Sequence, residues 1–419
     1  MAQRQLGKET MSQLRIFDVI IWGASGFTGR LVAEYLLAQY GLDGEVRWAM
    51  AGRNEDKLIK VRAELGNEDI PILLADSDDQ DSLAELAART KVVCSTVGPY
   101  AKYGSKLVAA CIEQGTDYCD LSGEAQWIRK MIDQHHDEAV NAGVRIVNSC
   151  GFDCIPSDMG VYFLQRQIHA KTGQYANHIK FRVKVMKGKL SGGTFASMVN
   201  LIKEAGEDPS TRKVLKSPYG LNPEMKNQGN DKPDLQAIVH DDDIPAYIAP
   251  FMMAGINTKI VRRSHALTGF PYGRNFLYDE AVISGPGFKG KLKGIAMTMG
   301  LATMVIGKPG SRLRKFLERK MPKPGAGPNK QERESGFFNI LLLGKMSDGS
   351  IIRGKVTGDR DPGYGSTSKM LGESAVCLAL DKDKTPETAG LLTASTAMGE
   401  VLLDRLQKNA GLTFSILEK

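Results

Sequence analysis

The 419-residue chain has no run of about 20 apolar residues, the length a helix needs to cross a bilayer. Its opening stretch, Met1 to Ser12, is polar where an export signal would carry an apolar core, so a disordered extension over 1–12 and a cytoplasmic protein are expected. The six cysteines include no Cys-x-x-Cys pair with zinc spacing, and six in a chain this long make no disulfide framework. His135 and His136 are adjacent, which on a helix turns them to different sides, so they cannot share a metal. No Ser-His-Asp order and no paired carboxylates in a defined setting compete as a catalytic arrangement. Long disordered tracts are not the default either, at 42% hydrophobic and 25% charged residues. Acid is missing from one stretch: 286–320 carries nine lysines or arginines against Glu318 alone. That leaves the rest of the chain at −1 of the total +7. The basicity is therefore a local patch for one anionic surface and does not suggest a nucleic-acid-binding protein.

What the chain does have is Val19-Ile20-Ile21-Trp22-Gly23-Ala24-Ser25-Gly26-Phe27-Thr28-Gly29-Arg30, an apolar strand running into three glycines spaced by three. Leu31, Val32, Tyr35 and Leu36 then repeat at helical spacing. Glycine lets backbone N–H groups and the positive helix end approach a pyrophosphate, so Gly23 to Gly29 reads as a dinucleotide-binding loop. The second strand, Glu45 to Ala51, ends in Gly52-Arg53-Asn54, where an NAD enzyme usually has an acid for the ribose hydroxyls. Arg53 can instead pair with a 2′-phosphate, which favours NADP (NADPH). Further strands at Ile70 to Leu74, reaching Asp76, and at Lys91 to Val97, ending in Gly98-Pro99-Tyr100, continue the alternation. Strand ends line the crevice of such a sheet, so Asp76, Thr96, Val97, Gly98 and Pro99 join Arg53 and Asn54 as expected cofactor contacts.

Strands around Tyr118 to Asp120 and Arg145 to Asn148 complete about six βα units, after which the composition changes. Ile179 to Met186 reads as a strand, Phe195 to Glu204 as a helix, and Phe337 to Gly344 with Ile351 to Thr357 as a hairpin around Asp348-Gly349. Helices are expected over Ser366 to Leu380 and Gly390 to Gln407. The fold class is α/β: a doubly wound parallel sheet at 13–157, then an α+β domain on a mixed sheet at 158–365, for substrate or dimer contacts. A basic, Met-rich insertion at 286–330 interrupts it, and C-terminal helices at 366–419 return to the first domain. Within the insertion, Gly294 to Gly307 is uncharged but only 14 residues long. It suits a helix at an anionic lipid interface or over an acyl tunnel, and equally a buried core or homodimer helix. Met321 to Lys330 reads as a Pro/Gly linker.

The loop at 23–29, Ala51-Gly52-Arg53-Asn54, Thr96-Val97-Gly98-Pro99-Tyr100, Tyr118-Cys119-Asp120-Leu121-Ser122-Gly123-Glu124 and Gly151-Phe152-Asp153-Cys154-Ile155-Pro156-Ser157-Asp158 together resemble the saccharopine dehydrogenase-like oxidoreductases. Within that family the chain looks most like the trans-acting enoyl reductases. Asp361-Pro362-Gly363-Tyr364 and Thr393 to Gly399 extend the similarity to nearly the whole chain. The resemblance implies a Rossmann-type NADP domain and either a small-molecule or a carrier-tethered acyl substrate. It leaves open a saccharopine-type amino-acid dehydrogenase, and a nucleotide-binding adaptor at a lipid surface remains a third reading.

A nicotinamide reductase usually needs a proton donor beside its hydride source. Tyr100, Tyr118, Ser122, Asp153, Ser157 and Asp158 are the candidates, with Tyr100 and Asp153 expected to be catalytic. Packing and turn or helix-cap roles compete for the same residues.

Overall fold

In the computed structural model the described residues are 15–188, 192–225, 229–305 and 327–418. The expected N-terminal extension, most of the Pro/Gly linker and the basic residues from Lys308 to Lys320 lie outside them. The strands in chain order are β1 (Phe17–Trp22), β2 (Trp48–Gly52), β3 (Ile72–Leu74), β4 (Thr90–Ser95), β5 (Asp117–Asp120), β6 (Arg145–Val147), β7 (His178–Lys187), β8 (Val239–Asp241), β9 (Ala246–Pro250), β10 (Leu277–Gly285), β11 (Phe337–Lys345), β12 (Ile351–Gly358), β13 (Gly390–Leu392) and β14 (Leu412–Leu417). They form two sheets in two compact units, Met1–Phe152 with Tyr364–Ala410, and Asp153–Gly363 with Gly411–Lys419.

The first unit holds a parallel sheet ordered β13-β6-β5-β4-β1-β2-β3. β1 lies between β2 and β4, so strand order reverses there and a crevice opens at the carboxyl ends. Val19, Ile20 and Ile21 are fully buried, as a strand covered on both faces requires. Each contributes about 2 kcal/mol of hydrophobic stabilisation. Asn54 caps the helix Glu55–Leu65 by accepting from the Lys57 N–H at 2.9 Å, and Gly66 ends it in a left-handed turn.

The chain's C-terminal part completes this unit. The stretch from Gly390, expected as helix throughout, begins instead as β13, paired with β6 through Leu391 and Ile146. Gly390 has a φ of 109°, and a side chain on it would meet the His136 ring at 2.7 Å. The helix starts only after Thr393, which forms a capping box with Thr396, and runs over Ala394–Lys408. Glu373, fully buried on the helix Thr367–Leu380, accepts from the Tyr35 and Tyr40 hydroxyls at 2.7 and 2.6 Å. Arg405 and Asn409 reach its other oxygen at 3.3 and 3.1 Å. This closed network fixes the C-terminal helices against the helix Phe27–Tyr40.

The second unit is a mixed sheet ordered β14-β12-β11-β7-β10-β9-β8, in which β7 and β10 are parallel and the other pairs antiparallel. The hairpin joining β11 and β12 turns at Gly349, with a φ of 83°, while Asp348 accepts from the Ser350 N–H. The helix Ile155–Thr172 covers this sheet. Gly160 brings it close, because a methyl there would lie 3.2 Å from Leu342 and Val356. β8, β9, β10 and β14 are strands of this sheet that the sequence pattern did not announce.

Candidate active site

Three glycines build the first unit's loop, each for a local reason. Gly23 has a φ of 88°, and a side chain on it would strike Val97 at 2.5 Å. Gly26 stands at the N-cap of the helix Phe27–Tyr40, which has no side-chain cap and no acid in its first turn. Gly29 lets that helix press onto the Gly23 carbonyl. The loop is fastened to β2, since Gly23 and Ala24 donate to the Ala51 carbonyl at 2.9 and 3.1 Å. It is fastened to β4 as well, where the Thr96 hydroxyl donates to the Trp22 carbonyl at 3.0 Å. The free N–H groups and the positive helix end suit a pyrophosphate.

The other residues expected to contact the cofactor follow the carboxyl ends of β2, β3 and β4. Ser25 Oγ lies over Gly52, so the loop borders the end of β2 where Arg53 follows. Arg53 is exposed and makes no hydrogen bond or ion pair with any described residue. Asn54 has its carbonyl oxygen committed to the helix cap. Asp76 lies half-buried after β3 and accepts from the Asp78 N–H at 3.0 Å. Thr96, Val97, Gly98 and Pro99 follow β4, and the Phe27 ring sits edge-on to Tyr364 at 4.8 Å.

Tyr100 is placed differently from a free acid. Its ring is buried and stacks on Trp127 at 5.4 Å, while its hydroxyl donates to the Ser95 carbonyl at 3.1 Å and accepts from Leu121. Burial, with Asp120 nearby, raises the phenol well above its ordinary value. Glu124 holds the turn from below, taking the Tyr100 and Ala101 N–H groups at 2.9 Å each. Asp120 anchors the ends of β5 and β6. Its carboxylate accepts from Ser122 N–H, Ser149 N–H, Asn148 Nδ2 and the Tyr118 hydroxyl at 2.8 to 3.0 Å, and burial lifts it to about 6. Asp120 and Glu124 belong to the 118–124 run that carries the resemblance, but neither was given a site role, although an acid ending the buried strand β5 was the available signal for Asp120.

The second unit opens with Asp153, half-buried and without a hydrogen-bond partner among the described residues. Burial pushes its carboxyl up to about 6. Asp158 is committed, accepting from the Ser264 hydroxyl at 2.5 Å. Deeper in the unit, Glu280 accepts from Tyr278 at 2.6 Å and Asn257 at 2.9 Å, and burial raises it to about 7. Tyr278 and Glu280 share a face of β10 by two-residue spacing, a clue lost among the apolar residues around it. Lys259 on the helix Ala254–Leu267 is also buried; its ammonium donates to the Gly255 carbonyl at 2.9 Å and burial lowers it to about 8. A cavity of about 760 Å³ in the first unit, lined by Arg145, Lys382 and Thr385, opens at the amino end of β6 and takes no part in the glycine-loop crevice.

The family model for the saccharopine dehydrogenase NADP binding domain matches residues 19–147, the span of these loop and strand-end residues. A Mycobacterium tuberculosis protein with the provisional name of trans-acting enoyl reductase is 40% identical over 94% of this chain and 96% of its own. The Mycobacterium bovis protein named trans-acting enoyl reductase is 38% identical over the same shares. Among solved structures, the apo saccharopine dehydrogenase (L-Glu forming) of Saccharomyces cerevisiae aligns with a TM-score of 0.53 at 13% identity, covering 96% of this chain and all of that one, which shows a common fold. The chain belongs to the saccharopine dehydrogenase-like oxidoreductases, among the trans-acting enoyl reductases. It is an NADP(H)-dependent oxidoreductase. The uncapped helix end, the glycine cradle that side chains would fill and the unengaged Arg53 fit that cofactor.

Proposed function

We propose that the protein is an enoyl reductase that saturates a carbon–carbon double bond in an acyl or lipid-like chain, presented as a small-molecule thioester or on a carrier. When bound, NADPH supplies the hydride for such a reduction. Within the Gly23 to Gly29 loop the backbone N–H groups of Ser25, Thr28 and Gly29, which make no internal bond among the described residues, hold the pyrophosphate, and Arg53 binds the 2′-phosphate. Thr96 to Pro99 border the nicotinamide half. Asp153 supplies the proton to the carbon next to the thioester carbonyl, since its carboxyl has no hydrogen-bond partner among the described residues and burial pushes it up to about 6. Tyr100 is a positioning residue, its hydroxyl bonded into the turn after β4.

The observation that carries the acyl reading is the neutralisation of two buried guanidinium groups of the second unit, those of Arg182 and Arg262. Arg182 pairs with Asp241 at 2.8 Å and Asp279 at 2.6 Å, and Arg262 pairs with Asp231 at 3.1 Å. A saccharopine-type substrate carries several carboxylates and calls for free guanidinium groups instead. The relatives' name points the same way.

The test is NADPH oxidation by purified protein. Oxidation dependent on an added enoyl thioester supports the proposal. Oxidation dependent on glutamate with a semialdehyde overturns it in favour of the amino-acid dehydrogenase, and NADPH binding without turnover of any acyl thioester overturns it in favour of an adaptor.

A further inference from the structure

The helix Gly287–Val305 in the second unit has its large apolar side chains on the wrong side for a core helix. Phe288, Leu292, Ile295 and Met299 follow one another at spacings of four, three and four residues, which at 100° per residue puts them on a single stripe roughly 16 Å long. All four are exposed, Phe288 at 74% and Met299 at 64%. The opposite stripe, Gly290 and Gly294, faces the sheet. A methyl on Gly290 would lie 1.9 Å from the Gly285 carbonyl oxygen, and one on Gly294 2.5 Å from Ile238. Close approach through glycine fixes the helix to the unit while leaving its apolar residues in water. That arrangement costs hydrophobic free energy unless something covers the stripe.

Three lysines tell what covers it. By helical spacing Lys289 and Lys293 stand on one flank of the stripe and Lys291 on the other, all three exposed. The sequence holds no Asp or Glu between Glu280 and Glu318. Lysines astride an apolar stripe can lay their methylene stems along it and lift their ammonium groups to a layer of anionic headgroups, while the apolar residues enter the acyl boundary. A second copy of the chain is a poor occupant, since the same lysines would face one another. No described helix is long and apolar enough to cross a membrane, so the contact lies in the surface plane. We propose that this helix docks the protein onto an anionic lipid surface through Phe288, Leu292, Ile295 and Met299, with Lys289, Lys291 and Lys293 reading the headgroup charge.

The test is flotation of the full-length protein with phosphatidylcholine vesicles, with and without phosphatidylglycerol, beside a melting temperature and an NADPH titration that verify folding independently of turnover. Wild type should float with the anionic vesicles. Replacing the three lysines by glutamine should lower partitioning roughly 100-fold, at about one kcal/mol per lysine. Leu292→Ser with Met299→Ser should abolish it, with melting and NADPH affinity retained. Three results would each overturn the proposal: wild type that stays at the bottom of the gradient, binding unchanged by lysine replacement, or a lipid-free oligomer that Leu292→Asp dissolves. Because none of these readouts uses an acyl substrate, they stand apart from the success or failure of the enoyl reductase reading.

Discussion

Gly29 lies so close beneath the carbonyl of Gly23 that a methyl group on it would stand 2.2 Å from that oxygen. Contact this short with backbone cannot be relieved by a side-chain rotation, so the helix must back away from β1 and carry its free N–H groups with it. Gly29→Ala should destabilise the protein by about 1 to 3 kcal/mol as an overpacked contact and weaken NADPH binding. Thermal melting without ligand and a fluorescence titration check this. A wild-type Tm together with wild-type affinity would refute the cradle.

Arg53 is the unengaged cation at the end of β2. A charge-assisted contact to a 2′-phosphate contributes about 1.5 to 3 kcal/mol, so Arg53→Ala should raise the Kd for NADPH roughly 10- to 100-fold and leave that for NADH nearly unchanged. Equal weakening of both coenzymes would remove the 2′-phosphate role.

Asp153 and Tyr100 separate by pH. A donor with a pKa near 6 must be protonated to act, so kcat/KM should fall as pH rises through about 6, and Asp153→Asn should lower kcat by about 10²-fold or more and erase that limb. Tyr100→Phe removes the hydroxyl's bonds to Ser95 and Leu121, and should cost stability of about 1 to 2 kcal/mol while kcat stays close to wild type. A large loss of kcat in a well-folded Tyr100→Phe protein would move the proton to the phenol.

Lys259 is a buried ammonium whose folded pKa, about 8, lies below that of the unfolded chain, about 10.4. Between those values the unfolded chain binds more protons, so this group adds stability as pH rises from 8 to 10 and opposes folding below 8. Lys259→Met should therefore raise the Tm at pH 7 and flatten its pH dependence over that window. A fall in Tm at pH 7 would show that the charge is compensated.

The glycine loop, Arg53 and the alternation of strands and helices were readable because each depends on neighbours within a few residues: φ sign, helix end and apolar run are local properties. The hairpin at Asp348-Gly349 was readable for the same reason. Gly390 was not, because its positive φ and its closeness to His136 involve a residue more than 250 positions earlier. β14 was missed likewise, since it pairs with β12 across more than 50 residues of chain.

The sequence by itself determined the cofactor class and the parallel sheet, through the steric freedom of Gly23, Gly26 and Gly29 and the cation after β2. Only the tertiary structure decided which polar groups were spent and which remained available. It tied the Tyr100 hydroxyl to Ser95, left Asp153 without a hydrogen-bond partner among the described residues, closed a ring of donors around Asp120 and Glu373, and turned Phe288 and Met299 to solvent. A side chain's hydrogen-bond partner and its exposure are fixed by residues that packing brings from far along the chain, and no local pattern records them.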